Sequence, residues 1–155
     1  MPVVDDVYLG NPNLKKANTK LEFTQEQILE FIACQHDPVY FAKQHVKIVS
    51  LDEGLVPFEP YDFQEKLIRN FHEHRFNICK MPRQTGKSTT SVSYLLHYAV
   101  FNDNVNIGIL ANKAATARDL LGRLQTAYEN LPKWMQQGIV SWNKGSLELE
   151  NGSKI

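Results

Sequence analysis

Apolar residues recur at helical intervals in several stretches of the chain. Thr24 stands before the first of them with Gln27 three residues later, the spacing of a capping box, which predicts a helix over about 24–35. Asp37 and Pro38 open a second helix, because the aspartate side chain can accept from free amides and proline has no amide to satisfy. The same periodicity predicts further helices over 61–74, through 94–101 and over 113–130.

Short apolar runs between these helices predict strands. The runs over 75–80 and 105–110 flank the long helix, and the second is almost continuously apolar, as expected of a parallel strand covered on both faces. Strand, helix, strand and helix in this order indicate an α/β fold with a parallel sheet wrapped by helices. Hairpins are predicted over 46–56, between 140–142 and 147–149, with another tight turn at 151–152.

The residues Gly86-Lys87-Ser88 lie where a predicted strand turns into the long helix. In such a loop, backbone amides can point at phosphate oxygens beside the positive end of the helix. Gly86 allows close approach of the backbone, Lys87 can reach the β and γ oxygens, and the Ser88 hydroxyl can ligate magnesium. The sequence therefore predicts a site for ATP and Mg²⁺ formed by Gln84, Thr85, Gly86, Lys87, Ser88 and Thr89.

This phosphate-loop pattern is incomplete. The GxxxxGK[ST] pattern would have glycine at position 81, where the chain has Met81-Pro82-Arg83. The departure weakens the case for a generic nucleotide-binding loop, yet the string over 82–88 is typical of a narrower group of motors. An ordinary helix start, with glycine in the turn and serine near the cap, is the alternative interpretation.

Composition limits the class of protein. The chain has 155 residues, 43% hydrophobic and 22% charged, which suits one globular domain with a short appendage. Seventeen basic residues balance seventeen acidic ones, so any DNA contact is local; Lys15, Lys16 and Lys20 are expected to lie on a solvated arm.

Cys34 and Cys79 lack CxxC spacing, and the apolar run around Cys79 suits a buried thiol, so we expect neither a disulfide nor a zinc site. No stretch reaches the roughly 20 apolar residues of a membrane span, and we expect a soluble protein that is not secreted.

Five separated stretches carry a more specific likeness: 10–18, 61–64, 83–88, 108–113 and 138–146. Together they resemble the large terminase subunits of tailed bacteriophages, in particular those of T-even-like myoviruses, over nearly the whole chain. Proteins of this family pair an N-terminal ATPase with a C-terminal nuclease and drive double-stranded DNA through the portal into an empty capsid. The resemblance therefore implies a P-loop NTPase fold of the RecA/helicase-like kind.

The resemblance also implies roles for single residues. Lys87 and Ser88 match the phosphate and magnesium ligands, and Arg83 matches an arginine that acts in cis on the γ-phosphate, which makes Lys87 and Arg83 the candidate catalytic residues. Gln64, preceded by Phe63, matches a family element that reads adenine by its amide and stacks an aromatic ring on the base. The alternatives are a helix-surface glutamine and a core phenylalanine.

Partners and location follow from the same resemblance. It implies double-stranded DNA, the phage portal protein and the small terminase subunit as partners, and a homo-oligomeric ring on the capsid without membrane contact. The expected location is the cytoplasm of the infected bacterial host, at the prohead portal.

Hydrolysis by such a motor needs an apolar strand that ends in aspartate, usually followed by glutamate. No such segment follows the phosphate loop, and the similar string over 48–53 precedes it and suits a hairpin turn. We therefore expect the chain to stop before that strand, to leave apolar strand edges exposed, and to turn over ATP weakly or not at all. The expected parts are an irregular arm (1–22), a helical appendage with a hairpin (23–58) and a partial P-loop ATPase core (59–155).

Two other functions stay open. One is a helicase-like DNA translocase with the same core, which nuclease carboxylates elsewhere in the gene would distinguish. The other is a nucleotide-binding or assembly module that binds ATP without hydrolysing it. Lys113 could contact DNA, although a solvated lysine at a helix start is the preferred interpretation.

Overall fold

The structure is a computed structural model that describes residues 6–50 and 52–155. Within these ranges the chain is an α/β fold with five helices and three small antiparallel sheets of two strands each. The helices are α1 Gln25–His36, α2 Pro38–His45, α3 Asp62–Glu73, α4 Lys87–Phe101 and α5 Ala114–Glu129. The strands are β1 Val7–Tyr8, β2 Asn11–Lys15, β3 Lys47–Ser50, β4 Gly54–Pro57, β5 Ile139–Trp142 and β6 Leu147–Leu149. Residues 1–5 of the predicted arm and Leu51 in the first predicted hairpin lie outside the described residues.

The first two helices begin as their sequences predict. The Thr24 hydroxyl accepts from the Gln27 amide at 3.2 Å, and the Gln27 side chain accepts from the Thr24 amide at 3.0 Å. The Asp37 carboxylate accepts from the amides of Val39 and Tyr40, at 2.9 and 3.1 Å. Each such cap contributes about 0.5–2 kcal/mol to helix stability, so both helix starts are confirmed with their physical cause.

Helix α4 lies at the centre of the core and packs against α2, α3 and α5. Leu96 and Ala99 on α4 and Leu124 on α5 are fully buried. The ring of Phe101, at the end of α4, meets the edges of Phe31 and Phe41, with ring centroids 4.9 and 5.3 Å apart. The buried aromatic end of α4 therefore holds the first two helices on the core.

The prediction of an irregular arm over 1–22 is wrong for much of its described part. Strands β1 and β2 form an antiparallel hairpin, and Leu14 belongs to the core at 2% exposure. The Lys15 amide donates to Gln136 at 2.9 Å, and the Ala17 amide donates to the carbonyl of Ile139 at 3.2 Å. Lys15 is buried rather than solvated, and burial lowers the pKa of its ammonium group. The partners lie more than 120 residues away, so local periodicity could not indicate them.

The predicted parallel sheet is not present in the described ranges. Residues 75–80 form no strand; Ile78 is fully exposed there, and Cys79, predicted to be buried, is exposed as well. The run over 105–110 makes a single parallel bridge, between Asn106 and Lys154. A strand inside a parallel sheet needs a hydrogen-bonded neighbour on each side, and the described chain supplies none to 75–80. In 75–80, Phe76 and Ile78 are exposed, as expected for an unpaired edge, whereas among the apolar side chains of 105–110 only Leu110 is exposed, and Ile107 and Ile109 pack against the core.

The predicted hairpins are confirmed. Strands β3 and β4 pair antiparallel, as do β5 and β6, and Gly152 occupies the left-handed region at φ +81° in the turn that follows. In β6 the two leucines are buried while Glu148 lies half-exposed and pairs with Lys154 at 2.9 Å, so the glutamate is on the solvent-facing side of the strand. No helix within the described ranges is long and apolar enough to cross a membrane.

Candidate functional site

The loop before α4 has two left-handed residues. Gly86, the N-cap of α4, has φ +74° and ψ 18°, and Gln84 has φ +61°. Alternating left-handed and right-handed residues turn successive backbone amides towards one side, which forms an anion-binding concavity. The Thr90 amide and hydroxyl both donate to the Gly86 carbonyl at 2.9 Å and fix the loop to the first turn of the helix. These two bonds tie the left-handed Gly86 to the helix.

Lys87 folds back across this loop. Its ammonium donates to the carbonyl of Met81 at 3.0 Å and to that of Pro82 at 2.5 Å. The Thr85 hydroxyl donates to the same Pro82 carbonyl at 2.9 Å. These three bonds close residues 81–87 into a ring around a positive charge.

The amides of this ring are free to bind another group. Among the described residues, no hydrogen bond is donated by the backbone amides from Gln84 to Ser88. The N-terminal end of α4, a helix of 15 residues, has no side-chain cap. Unpaired amides at a helix N-terminus favour negative charge, because the peptide dipoles add along the helix axis. The loop thus offers several donors and an ammonium to one anion.

Gln64 connects helix α3 to the loop. Its side chain is only 4% exposed; the carbonyl oxygen accepts from the Tyr61 amide at 2.9 Å, and the amide nitrogen donates to the Thr85 carbonyl at 3.4 Å. A methyl group at Gly86 would overlap that amide nitrogen. The backbone conformation therefore favours glycine at 86, and a larger residue would also displace the end of the Gln64 side chain.

Two aromatic rings lie at the start of α3. Tyr61 and Phe63 stack with centroids 5.7 Å apart and an interplanar angle of 14°, and they are 70% and 44% exposed. Phe63 lies in the wall of one cavity and Tyr61 in the wall of another. Tyr61 was not among the predicted binding residues, although it belongs to the 61–64 stretch, and its exposed aromatic ring was the available signal.

Cavities lie on both sides of Gln64 and the loop. One of about 490 Å³ lies between the β3–β4 hairpin and the loop, and its walls include Tyr61, Gln64, Gly86, Thr89, Glu53 and Glu59. A second of about 510 Å³ includes Phe63, Lys66, Met81, Pro82 and Thr85. The largest, of about 610 Å³, lies between β3, α4 and α5, and it contains none of the residues from 81 to 88. Of the two cavities next to the loop, the one that contains Gly86 also contains two carboxylates.

The remaining predicted residues are at the surface. Arg83 and Ser88 are exposed, and Arg83 makes no hydrogen bond or ion pair with another described residue. Lys113, the N-cap of α5, is exposed as well, and no side chain caps that helix. The structure therefore brings together Gln64, Thr85, Gly86 and Lys87, and leaves Arg83 and Ser88 at the rim.

A comparison with models of known protein families finds no match for this chain. The loop, its unpaired amides and the residues around it are therefore the features of the molecule that bear on function.

Proposed function

We propose that this chain is a P-loop nucleotide-binding protein in which residues 81–88 bind the phosphates of ATP. The observation that carries the proposal is the set of unpaired amides from Gln84 to Ser88, curved around the Lys87 ammonium at the start of α4. Donors of this kind match the charge and spacing of phosphate oxygens. An ordinary helix start requires neither two left-handed residues nor a lysine folded into the loop.

Each residue has a chemical role in this proposal. The Lys87 ammonium leaves the carbonyls of Met81 and Pro82 and binds β and γ oxygens, where its charge is better compensated. The exposed Ser88 hydroxyl is a ligand for Mg²⁺, and Thr89 follows it in the first turn. Arg83, exposed and unpaired among the described residues, can extend over the γ-phosphate as an arginine finger does.

The base has a separate place. We assign adenine to the cavity of about 490 Å³ beside Tyr61 and Gln64, a volume within the roughly 300–1,000 Å³ of small-molecule sites. Glu53 and Glu59 in its walls repel phosphate, so the triphosphate lies over the loop and only the base enters. Tyr61 offers a ring face for stacking. The oxygen and the nitrogen of the Gln64 side-chain amide both already make hydrogen bonds. Gln64 therefore binds the edge of the base only after one of these two bonds is broken.

Within this class, we propose the motor ATPase of a large terminase subunit, which couples ATP hydrolysis to movement of double-stranded DNA into a capsid. The support is the ordered series of five stretches that resembles that family, of which 61–64 and 83–88 meet at the loop. DNA, the portal protein and the small terminase subunit are the partners of this proposal. The balanced charge of the chain means that its DNA contact is local.

A second candidate is a module that binds ATP without hydrolysing it. The observation that favours it is the absence, among the described residues after the loop, of an apolar strand ending in aspartate. Without that carboxylate, no group in the described part of the chain has the usual position for holding the magnesium hydration shell and activating water. Release of phosphate distinguishes the two candidates.

The proposal is tested by calorimetric titration of the purified chain with ATP and Mg²⁺. We expect binding to weaken at least tenfold in Lys87→Ala, because the loop loses the ammonium that lies across it. Lys113→Ala is the matched control, since it removes an exposed lysine at the start of another uncapped helix, and its affinity should equal that of the wild type. No heat from well-folded wild type, or equal affinities for Lys87→Ala and wild type, would overturn the proposal.

A further inference from the structure

Three side chains of different ligand chemistry meet between α1 and α2. Glu30 and Cys34 lie one helical turn apart on α1, and His45 is the last residue of α2. Glu30 Oε1 is 2.7 Å from His45 Nε2 and 3.6 Å from Cys34 Sγ. The three ligand atoms all lie within 4.8 Å of one another. A carboxylate, a thiol and an imidazole therefore face one small volume.

The surroundings hold these side chains in place. The Tyr40 hydroxyl donates to Glu30 Oε2 at 3.0 Å, so the carboxylate is fixed at both oxygens. Trp134 meets the His45 ring edge-on, with centroids 6.0 Å apart. Cys34 is fully buried. None of the three lies in the phosphate loop, so the cluster is independent of the proposed nucleotide site.

The separations suit a tetrahedral ion. Zinc holds sulfur at about 2.3 Å and nitrogen or oxygen at about 2.0 Å, which separates ligand atoms by about 3.3–3.6 Å. The distance from Cys34 Sγ to Glu30 Oε1 already has this value. The shorter distance between Glu30 and His45 is that of a hydrogen bond, and a small side-chain rotation widens it when an ion replaces the proton.

A divalent cation matches the charge of this ligand set, because a carboxylate and a coordinated thiolate together carry two negative charges. A divalent ion replaces the proton of a coordinating thiol, which passes to the solvent, and the ion then neutralises both anions.

We propose that Glu30, Cys34 and His45 form a binding site for zinc or a similar divalent transition-metal ion that joins α1 to α2. Thiolate and imidazole select such an ion over magnesium or calcium, which prefer oxygen ligands. With three protein ligands, the fourth coordination position is left for water. The ion would lie between two helices that precede the proposed nucleotide-binding segment, and it is separate from the Mg²⁺ of ATP.

The test is a titration of the metal-free full chain with Co²⁺, followed by displacement with Zn²⁺. We expect a thiolate-to-cobalt charge-transfer band and the intense visible bands of a tetrahedral complex, saturating at a single ion per chain. Zn²⁺ should abolish these bands and raise the melting temperature, since an ion that binds only the folded chain stabilises it.

Variants assign the ligands. Cys34→Ser should abolish the charge-transfer band while far-UV circular dichroism of the metal-free protein stays unchanged, because serine keeps a hydroxyl beside Glu30. Glu30→Gln and His45→Gln should weaken Co²⁺ binding at least tenfold. Cys79→Ser, which removes the exposed cysteine, is the matched control and should retain the wild-type spectrum. The assignment would be overturned if the wild type gave no charge-transfer band. It would also be overturned if the band survived in Cys34→Ser and disappeared in Cys79→Ser.

Discussion

The two ends of helix α4 differ in almost every physical respect. At its C-terminal end, Leu96, His97 and Phe101 are buried among aromatic rings, and their packing joins α1 and α2 to the core. At its N-terminal end, Gly86 and Lys87 belong to a strained loop whose amides bond to no other described residue. One end stabilises the fold, and the other has amide donors that no other described residue accepts from.

This difference predicts that stability and nucleotide binding can be separated along a single helix. Left-handed residues and uncapped amides lower stability, and proteins retain such features mostly at functional sites. Substitutions at the buried end should therefore change the free energy of unfolding, and substitutions at the loop should change affinity for ATP.

The largest effect on stability is expected at Leu96, which is fully buried. Leu96→Ala should lower the free energy of unfolding by about 2–5 kcal/mol, through lost apolar contact and a residual cavity. Leu95→Ala, at the neighbouring half-buried leucine, is the control and should cost less. Urea denaturation measures both. Below the melting transition, the affinity of Leu96→Ala for ATP should stay within twofold of wild type, and a large loss would contradict the separation of the two ends.

His97 gives the buried end a pH dependence. Burial among aromatic rings lowers the pKa of His97 from 6.5 to about 4, although its Nε2 is 2.9 Å from the Cys34 carbonyl. The unfolded chain therefore binds this proton more readily, so stability is complete above about pH 6.5 and falls as the pH drops towards 4. The loss is on the order of 3 kcal/mol.

Thermal melts between pH 7 and pH 4 measure this loss. His97→Gln keeps a donor for the Cys34 carbonyl but does not titrate, so its stability should vary less over this range. An identical pH profile in wild type and His97→Gln would show that other groups are responsible.

A smaller effect on stability is expected at Gly86. Gly86→Ala places a side chain in the left-handed region, which costs about 1–2 kcal/mol, and its methyl group displaces the amide of Gln64. Affinity for ATP should fall at least tenfold, because the loop and Gln64 both move. Gly108→Ala is the matched control: Gly108 precedes α5, has no positive φ, and its nearest contact would be Leu110 at 3.7 Å. Equal nucleotide affinities of the two variants would contradict the account.

Local signals predicted the helices and hairpins well. Thr24 and Asp37 mark helix starts by side-chain hydrogen bonds to amides two or three residues away, and such bonds depend only on the neighbouring sequence. The hairpins β3–β4 and β5–β6 follow from short apolar runs around turn residues. The curved loop before α4 could be located for the same reason, because its glycine, lysine and helix start are contiguous, and its binding of phosphate stays a prediction.

Long-range pairing was not predictable in this way. Leu14 and Lys15 are buried because Gln136 and Ile139 lie beside them, and nothing in the N-terminal sequence indicates those partners. The parallel sheet was wrongly inferred from the order of strands and helices along the chain. That order shows which strands could pair, but it does not show whether a strand has a neighbour to form hydrogen bonds with. The cluster of Glu30, Cys34 and His45 was missed because the ligands lie on two helices without a recognised spacing.

In the proposed site, the unpaired amides from Gln84 to Ser88 bind the phosphates of ATP. Hydrogen–deuterium exchange of the chain with and without Mg²⁺ and ATP tests it at those amides. We predict slower exchange for residues 84–88 on nucleotide addition in the wild type, and no such change in Lys87→Ala. Unchanged exchange at 84–88 under conditions in which calorimetry detects ATP binding would contradict the account, because the nucleotide would then bind elsewhere.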